Sequence, residues 1–497
     1  MPRLGDFYAE APSAWSDLEV TGLTADSRQV RPGSLFLALR GRTHDARDFI
    51  PQAVLNGAAA VLAEDAGSEE VEGVPVIGVP GLSSLLGEIA SGFYGQPSQS
   101  LRVVAVTGTN GKTSTAQLLA HACEFLGRRA AVLGTLGNGL VGEVQPSTHT
   151  TLDAVQLQAR LAEFRDAGAQ VVAMEASSHG LEQGRLNATR IETAVFTNLT
   201  RDHLDYHGDM ETYRDAKGLL FQWPTLKQAI LNADDPASVH FRHLLGKQVR
   251  CWSYSQQPDS RADFVALSVA PSLQGLVLRV RTPMGDREIR SRLLGRFNVS
   301  NLLAVLAGLL AVDIPLDDAV RALEAVQPVR GRMECWSNGN MTAVVDYAHT
   351  PDALEKVLQT LREHVQGRLW CVFGCGGDRD SGKRALMGAI AARLADRVVV
   401  TSDNPRSEAP DRIIADVLSG LGGEDKMRVQ VCTDRREAIA MAMKEAAPGD
   451  LVLVAGKGHE DYQEVRGVRY AFDDAEEVRR HLGLMHGVGV EGTSDAI

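Results

Sequence analysis

The 497-residue chain lacks the features that would bring it to a nucleic acid or into a membrane. It has no run of basic residues, and its net charge of −12 disfavours binding to nucleic acid or to an anionic membrane surface. The opening stretch MPRLGDFYAEAP has no apolar core of the kind found in signal peptides. No apolar run reaches the roughly 18 residues of a membrane span. We therefore expect a cytoplasmic protein that is not embedded in a membrane.

Cysteine is scarce, with six residues scattered along the chain. Cys371 and Cys375 lie four residues apart without a second Cys or His pair nearby, which disfavours a zinc site. The composition, 44% hydrophobic and 23% charged, is typical of a globular protein, and no repeat or low-complexity tract is present. The length exceeds what one hydrophobic core supports, so several domains are expected.

Two stretches have the composition of domain boundaries. SGFYGQPSQS occupies residues 91–100 around a predicted boundary at 98, and VQPVRGRMECW follows a predicted helix near residue 332. Between and after them, strand-like segments such as LRVVAVTG, LWCVFG and DLVLVAG alternate with helical ones, which predicts parallel sheets. We predict an α/β protein of three domains, 1–98, 99–332 and 333–497. Ligands of such sheets bind at the carboxyl ends of the strands.

The segment VVAVTGTNGKTSTAQLLAHAC (103–123) reads as strand, glycine loop and helix. Lys112 is placed to reach the β- and γ-phosphates of a nucleotide, and the Thr113 hydroxyl to bind Mg²⁺. Val106 stands where the general phosphate-loop pattern has glycine, so that pattern is only partly met. The loop alone fits a switch, a motor, a kinase or a ligase. The residues predicted to contact the nucleotide are Gly108, Thr109, Asn110, Gly111, Lys112, Thr113 and Ser114.

Two further strands end in clusters of acids and histidines. The first is followed by MEASSHGLEQGR, which contains Glu175, and the second by FTNLTRDHLDYHG, which contains His203. A helix carrying Lys217 comes next. Acid and histidine clusters at carboxyl ends beside a phosphate loop are consistent with Mg²⁺.

These segments, with TGTNGKTS and DAKGLLF, resemble the Mur ligases of peptidoglycan synthesis. The resemblance continues through LLGRFNVSNLLA, GRMECW, VVDYAHTPDALEK, FGCGGDRDSGKR and AGKGHEDYQ, in family order and over nearly the whole chain. The departure at Val106 is expected, since this family uses the shorter TGTNGKT loop. Within the family, the chain is most similar to the members that add the third residue of the stem peptide.

The resemblance implies a function and a fold. It implies an ATP-dependent amide ligase that joins meso-2,6-diaminopimelate to UDP-N-acetylmuramoyl-L-alanyl-D-glutamate through an acyl phosphate. The N-terminal domain would bind the UDP substrate. The central, P-loop-type parallel-sheet domain would bind ATP, and the C-terminal, Rossmann-like domain would bind the amino acid. We also expect a monomer.

The resemblance carries residue roles onto matching positions. Lys217 matches a lysine that the family carbamylates, and the carbamate would ligate Mg²⁺ as a carboxylate does. Glu175 and His203 match the other ligands of that ion, while Thr113 would serve a second, phosphate-side Mg²⁺. Lys112, Lys217 and His203 are the candidate catalytic residues, with His203 a candidate base for the attacking amine only if it is not metal-bound. Further nucleotide contacts are predicted for Asn298, Asn301, Arg332 and Asp346. His349 shares the last motif without an assigned role.

Contacts to the UDP substrate are predicted in the first two domains. His149 departs from the family pattern, which often has Asn before the Thr pair. The predicted residues are Ala25, Ser27, Arg42, Thr43, His44, His149, Thr150, Thr151, Ser177, Gln183 and Arg185.

The turn TSDNPRSEAP (401–410) follows a predicted buried strand and holds an acid, an amide and a guanidinium together. Pro405 stiffens it. Such a turn suits a zwitterion, since Arg406 can pair bidentately with a carboxylate while Asp403 and Asn404 take an ammonium. Arg379 offers a second guanidinium, which favours diaminopimelate over L-lysine because lysine lacks the distal carboxylate. The residues predicted to bind diaminopimelate are Arg379, Asp403, Asn404, Pro405, Arg406, Gly456 and Glu460.

Three alternatives stay open at this point. The same reaction could use L-lysine, or the chain could be a related ligase that adds D-Ala-D-Ala or extends folate with glutamate. A nucleotide switch or scaffold without catalysis should lack Lys112, Lys217 or Glu175, and all three are present.

Overall fold

The computed structural model describes residues 1–41, 45–147, 150–272, 275–423 and 425–484. The chain divides into two compact units. The first unit comprises Met1–Val265, Thr282–Met284 and Asn301–Ala322. The second unit comprises Ala266–Arg281, Gly285–Ser300 and the chain from Leu323 onward.

The first unit begins with a five-stranded sheet of order β1-β2-β3-β5-β4, parallel except for β4. Strands β2 and β3 are buried along their whole length, as expected for a sheet covered on both faces. The elements are α1 (Leu4–Phe7), β1 (Gly22–Thr24), β2 (Ser34–Ala38), α2 (Ile50–Leu55), β3 (Ala60–Glu64), β4 (Glu69–Val71), β5 (Val74–Val79) and α3 (Leu82–Phe93), with short 3₁₀ helices at Ser27–Gln29, Ala46–Phe49 and Pro97–Ser100.

The larger sheet of the first unit has β6 at its centre. Its strand order is β12-β11-β10-β6-β9-β7-β8, parallel except for β8. The elements are β6 (Arg102–Thr107), α4 (Lys112–Phe125), β7 (Ala130–Gly134), β8 (Gly137–Leu140), α5 (Ala154–Asp166), β9 (Val171–Glu175), α6 (Ser178–Glu182), β10 (Thr193–Phe196), α7 (Leu204–His207), α8 (Met210–Gly218), a 3₁₀ helix (Leu219–Gln222), β11 (Gln228–Asn232), α9 (Ala237–Leu244) and β12 (Arg250–Ser255).

The chain passes between the units several times after β12. Strand β13 begins in the first unit, where it pairs with β12 in parallel, and ends in the second unit, which also contains the antiparallel pair β14 and β15. The elements are β13 (Phe264–Ser272), β14 (Gly275–Arg281), β15 (Arg287–Ser291), α10 (Phe297–Ala311) and α11 (Leu316–Ala325).

The second unit contains a six-stranded sheet of order β16-β17-β21-β18-β19-β20, parallel except for β16. Its inner strands β17, β18 and β21 are wholly buried, which suits helices packed on both faces. The elements are β16 (Glu334–Ser337), β17 (Thr342–Asp346), α12 (Pro351–Arg362), β18 (Leu369–Phe373), α13 (Gly382–Leu394), β19 (Arg397–Val400), α14 (Pro410–Leu418), a 3₁₀ helix (Asp425–Arg428), β20 (Val429–Val431), α15 (Arg435–Glu445), β21 (Leu451–Ala455), β22 (Tyr462–Val465), β23 (Val468–Ala471) and α16 (Asp474–His481).

The predicted α/β class with parallel sheets is confirmed. The segments LRVVAVTG, LWCVFG and DLVLVAG form β6, β18 and β21. These strands are buried, as expected for parallel sheets with helices on both faces. Across the described residues, no helix has both the length and the apolarity needed to cross a bilayer. The parallel arrangement places the loops after β6, β9 and β10 at one edge of the larger sheet of the first unit.

Candidate active site

The predicted phosphate loop joins β6 to α4 and is held by the loop after β10. Asn198 accepts from the Asn110 N–H at 2.9 Å, and its backbone carbonyl accepts from the Thr109 N–H at 2.7 Å. Gly108 has a φ of +146°, and a Cβ there would collide with the Thr197 hydroxyl. The glycine is therefore required by the close approach of these two loops.

Two lysines converge on the carbonyl oxygen of Gly108. The Lys112 amine donates to it at 2.9 Å and also to the Thr109 carbonyl at 2.8 Å. The Lys217 amine donates to the same Gly108 oxygen at 2.9 Å. Both amines therefore lie against the phosphate loop, Lys112 from the start of α4 and Lys217 from α8. Their roles in nucleotide and metal binding stay predictions.

Burial changes the chemistry of Lys217. Its side chain is 1% exposed, and the amine lies 4.2 Å from the centre of the Tyr213 ring. Loss of hydration, followed by the nearby charge of Lys112, lowers the pKa of Lys217 to about 6. A pKa this low favours the neutral, nucleophilic form of the amine at pH 7.

Glu175 ends β9 beside the same loop, since β9 pairs with β6 and places Glu175 opposite Val106. Its buried carboxylate accepts from the Thr135 N–H at 2.8 Å and from the Thr135 hydroxyl at 3.2 Å. Thr113 is also buried, in the first turn of α4. These are hard oxygen donors of the kind that Mg²⁺ prefers.

His203 occupies a more open position, with half of its side chain exposed and Nε2 3.5 Å from Asp202. Its ring lies 5.0 Å from that of His179. Within the described ranges, no three His, Cys, Asp or Glu side chains group closely enough to hold a metal ion. The implied set of Thr113, Glu175, His203 and Lys217 fits Mg²⁺ only if Lys217 itself supplies oxygen, since a lysine amine is a poor ligand for a hard cation.

Residues predicted to contact the sugar-peptide form one network after β9. The Thr151 hydroxyl lies 3.0 Å from the Ser177 hydroxyl, and the Thr151 carbonyl accepts from Arg185 at 2.8 Å. Gln183 accepts from the same guanidinium at 2.7 Å. Thr150 joins through the Thr135 hydroxyl at 3.0 Å. The structure thus brings all five of these residues together near Glu175.

The remaining predicted UDP-substrate residues are more dispersed. Ser27 is buried at the start of a 3₁₀ helix, and its carbonyl accepts from the Asn56 side chain at 3.1 Å, while Ala25 is exposed. Arg42, Thr43, His44 and His149 lie outside the described residues, so their predicted contacts stay predictions.

The predicted nucleotide contacts beyond the loop fall in both units. Asn301 belongs to the first unit, where its side-chain oxygen lies close to Gly111. Asn298 belongs to the second unit and donates to the Leu294 carbonyl at 2.7 Å. Arg332 and Asp346 also lie in the second unit.

Asp346 has a structural use that its sequence motif does not reveal. Its carboxylate accepts from the backbone N–H groups of Met333 at 2.8 Å and Ala348 at 2.9 Å. Burial raises its pKa, against the opposing effect of Arg332. The Arg332 guanidinium lies 5.0 Å from the centre of the ring of Tyr347, the residue after Asp346.

The predicted amino-acid clamp assembles at the carboxyl ends of β19 and β21. Asp403 and Asn404 are buried, and the Asn404 amide donates to Glu460 at 2.8 Å. Gly456 has a φ of +119°, and a Cβ there would come within 3.0 Å of the Asp403 carboxylate. The structure therefore brings both acids of the clamp to one buried position.

The Arg406 side chain contacts one backbone carbonyl and one carboxylate. Its guanidinium donates to the Gly377 carbonyl at 2.8 Å, and its Nε lies 3.8 Å from Glu464. Its φ of +51° is unusual for arginine. Pro405 is buried, whereas Arg379 is exposed. The two guanidinium groups predicted to bind carboxylates thus differ in environment.

Ion pairs of the buried Arg384 connect α13 to the turn after β19 and to α14. Arg384, 2% exposed, donates to both oxygens of Glu408, at 2.7 and 3.0 Å, and to Asp416 at 2.8 Å. Glu408 also accepts from the Asp378 N–H at 2.7 Å. The arginine lowers the pKa of Glu408 to about 2.

Sequence reasoning missed three residues of this region. Lys457 lies wholly buried among the clamp residues. Arg384 and Glu408 form an ion pair that connects α13 to the turn carrying Asp403 and Asn404. Lys457 stands within AGKGHEDYQ, between two positions that were predicted, so the motif could have indicated it. Arg384 and Glu408 form their pair through tertiary proximity across 24 residues of sequence, which no local pattern reports.

Three family models match successive parts of the chain. Residues 19–94 match the "Mur ligase family, catalytic domain", 106–309 the "Mur ligase middle domain" and 331–458 the "Mur ligase, glutamate ligase domain". The chain belongs to the Mur ligase family.

Relatives extend the match over nearly the full length. The chain is 50% identical over 477 residues to a UDP-N-acetylmuramoyl-L-alanyl-D-glutamate--2,6-diaminopimelate ligase from Ectopseudomonas mendocina, covering 95% of this chain and 96% of the relative. A ligase of the same name from Pseudomonas aeruginosa is also 50% identical, with the same coverage. A solved structure with that name is 40% identical, covers 97% of this chain and 98% of its own, and superposes with a TM-score of 0.76.

The Arg384–Glu408 pair predicts a specific pH dependence of stability. Because the folded state lowers the Glu408 pKa from 4.5 to about 2, the charged pair stabilises the fold fully above pH 4.5. That contribution is lost as the pH falls from about 4.5 towards 2. Glu408→Gln should lower the free energy of unfolding by roughly 1–2 kcal/mol at pH 7.

Urea unfolding at pH 7 and at several values below 4.5 measures this difference. The difference in the free energy of unfolding between the wild type and Glu408→Gln should decrease only below about pH 4.5. Glu445→Gln, the same change at an exposed position of α15, is the matched control and should have little effect. If this difference in unfolding free energy stays constant down to pH 3, the stabilising role of the Arg384–Glu408 pair is contradicted.

Proposed function

We propose that this chain is the ATP-dependent ligase that adds meso-2,6-diaminopimelate to UDP-N-acetylmuramoyl-L-alanyl-D-glutamate. The observation that carries the proposal is the 50% identity over 95% of the chain to ligases of that name. The assembled phosphate loop and the buried clamp of Asp403, Asn404 and Glu460 support it. The product is a precursor of peptidoglycan, made in the cytoplasm.

The reaction proceeds in two steps. A carboxylate oxygen of the D-glutamate side chain attacks the γ-phosphorus of ATP, the bond to the β-phosphate oxygen breaks, and an acyl phosphate and ADP form. The unprotonated amine of diaminopimelate then attacks the acyl carbon, inorganic phosphate leaves, and the amine loses a proton. The role of Lys112 is to leave the Gly108 and Thr109 carbonyls and neutralise charge on the transferred phosphoryl group.

Two Mg²⁺ ions are expected: Glu175, His203 and Lys217 would hold one, and Thr113 would hold the other. When bound, Mg²⁺ neutralises charge on the phosphate oxygens. The chemistry of Lys217 supports its carbamylation, since its buried, neutral amine can add to CO₂ and become a carbamate that offers oxygen in place of nitrogen. His203 is then a metal ligand rather than the base for the attacking amine.

The clamp would recognise the end of diaminopimelate whose amine does not react, through its ammonium and its carboxylate. Arg406, with Arg379 closing over it, pairs with the carboxylate, while Asp403 and Glu460 accept from the ammonium. Asn404 has one amide hydrogen beyond that given to Glu460, and it is available to the carboxylate. L-lysine would offer Arg406 no carboxylate at this end, which disfavours the rival substrate.

Other roles complete the proposal. Thr150, Thr151, Ser177, Gln183 and Arg185 bind the sugar-peptide. Ala25, Ser27, Arg42, Thr43, His44 and His149 would bind elsewhere on the UDP substrate. Asn298, Asn301, Arg332 and Asp346 are proposed nucleotide contacts. We also propose the domain boundaries 1–98, 99–332 and 333–497, a monomer, and a cytoplasmic location.

Arg406→Ala tests the clamp. Removing a guanidinium that pairs with a substrate carboxylate should raise the KM for diaminopimelate by about 30-fold or more. The KM for ATP should change little. Phosphate release, measured while each substrate is varied in turn, gives both constants for the wild type and the variant.

Arg393→Ala, the same truncation on the exposed face of α13, is the control for loss of an arginine in the second unit. Release by the wild type should require ATP, the UDP-dipeptide and the amino acid together. An equal rise in both KM values for Arg406→Ala would mean that the clamp is misplaced.

Carbamylation of Lys217 predicts a signal that does not depend on activity. Wild-type protein equilibrated with ¹³C-bicarbonate should show a carbamate ¹³C resonance. The resonance should weaken as the pH falls through about 6, because the amine is then protonated. Lys217→Ala should lack the resonance, whereas Lys227→Ala, which changes a largely exposed lysine, should retain it. A resonance that persists in Lys217→Ala would place the carbamate elsewhere.

A further inference from the structure

Lys457 lies at the centre of the clamp. Its side chain is wholly buried. The amine lies 3.1 Å from the Asn404 side-chain oxygen, 3.2 Å from Glu460 and 3.5 Å from Asp403. It therefore contacts every side chain that is proposed to receive the substrate ammonium.

The chain after β21 places the lysine there through its backbone. Gly456 and Gly458 have φ values of +119° and +53°, so the strand turns sharply on both sides of Lys457. The Gly456 N–H donates to the Asp346 carbonyl at 3.0 Å, and the Glu460 N–H donates to the Lys457 carbonyl at 2.9 Å. The position of Lys457 is thus fixed by the backbone at both ends.

The contacts of Lys457 leave no donor for a substrate. An ammonium has three hydrogens, and Asp403, Asn404 and Glu460 are three acceptors at hydrogen-bonding distance. With a fully buried side chain, the amine acts on the substrate only through these neighbours.

Lys457 fixes the orientation of the Asn404 amide. The Asn404 oxygen accepts from Lys457 and also from the Glu464 N–H at 2.8 Å, while its nitrogen donates to Glu460. A rotated amide would set its N–H groups against two donors, which is unfavourable. The remaining Asn404 N–H therefore has one direction in which to meet a ligand.

Lys457 also sets the charge of the clamp. Asp403 and Glu460 are mostly buried carboxylates, 9% and 19% exposed at the side chain, and both lie within 3.5 Å of the same amine. Two carboxylates sharing a site repel each other unless a cation compensates one of them. With Lys457 in place, one negative charge is left for one substrate ammonium, and Arg406 matches the carboxylate beside it.

We infer that Lys457 is a positioning residue that makes the clamp selective for an amino-acid end carrying both an ammonium and a carboxylate. The inference rests on the proposed function and deepens it. Without Lys457 the clamp gains one net negative charge, which favours amines that lack the distal carboxylate. Selectivity for diaminopimelate over L-lysine is then reduced, in addition to any loss of affinity.

The experiment compares Lys457→Met with the wild type by steady-state phosphate release. The KM for diaminopimelate should rise by about tenfold or more, with little change in the KM for ATP. The ratio of kcat/KM for diaminopimelate to that for L-lysine should fall by about tenfold. A merely structural role would lower kcat or the melting temperature without changing this ratio.

Two further variants sharpen the test. Lys444→Met removes the same charge from an exposed position of α15 and should leave both constants unchanged. Lys457→Met/Glu460→Gln restores the net charge, so its KM for diaminopimelate should rise by less than the product of the two single effects. Circular dichroism and melting of each variant establish that the second unit is folded.

The outcomes separate the two hypotheses. No phosphate release by the wild type with either amino acid would contradict the proposed function itself. An active wild type with an unchanged selectivity ratio in folded Lys457→Met would overturn the role of Lys457 alone. If Lys457→Met does not fold, the selectivity ratio is measured instead on Lys457→Gln, which keeps a hydrogen-bond donor without the charge. A ratio equal to that of the wild type in Lys457→Gln would likewise overturn the inference.

Discussion

The candidate site of the first unit depends on the parallel pairing of β6 with β9 on one side and β10 on the other. This pairing places Glu175 opposite Val106 and brings the loop after β10 against the phosphate loop. Hydrogen bonds from Thr109 and Asn110 to Asn198 then fix that loop, and only glycine fits at position 108. Nucleotide binding and the approach of Lys217 both follow from this strand order.

Two buried lysines illustrate how environment decides the use of one side chain. The Lys217 amine faces a backbone carbonyl, with Lys112 nearby, and the loss of hydration favours its neutral form. The Lys457 amine faces two carboxylates and an amide oxygen, so its surroundings suit a cation. We accordingly propose reaction with CO₂ for the first lysine and charge compensation of the clamp carboxylates for the second.

The sequence predicted the fold class, because buried strands alternate with helices and each motif follows a strand. It also predicted which residues meet, such as Asp403 with Glu460, since both follow strands of one parallel sheet. It could not predict that Asp346 binds two backbone N–H groups, or that Arg384 reaches Glu408, because these contacts depend on tertiary proximity. The predicted contacts of Arg42, Thr43, His44 and His149 lie outside the described residues.

The most direct test of the central claim is a competition for one acceptor. The wild-type protein is incubated with ATP, Mg²⁺, UDP-N-acetylmuramoyl-L-alanyl-D-glutamate and equal concentrations of meso-diaminopimelate and L-lysine. The products are then identified and quantified by mass spectrometry. The account predicts the diaminopimelate adduct almost alone, with ADP and phosphate formed in equal amounts. A predominant lysine adduct, or no adduct of either amino acid, would contradict it.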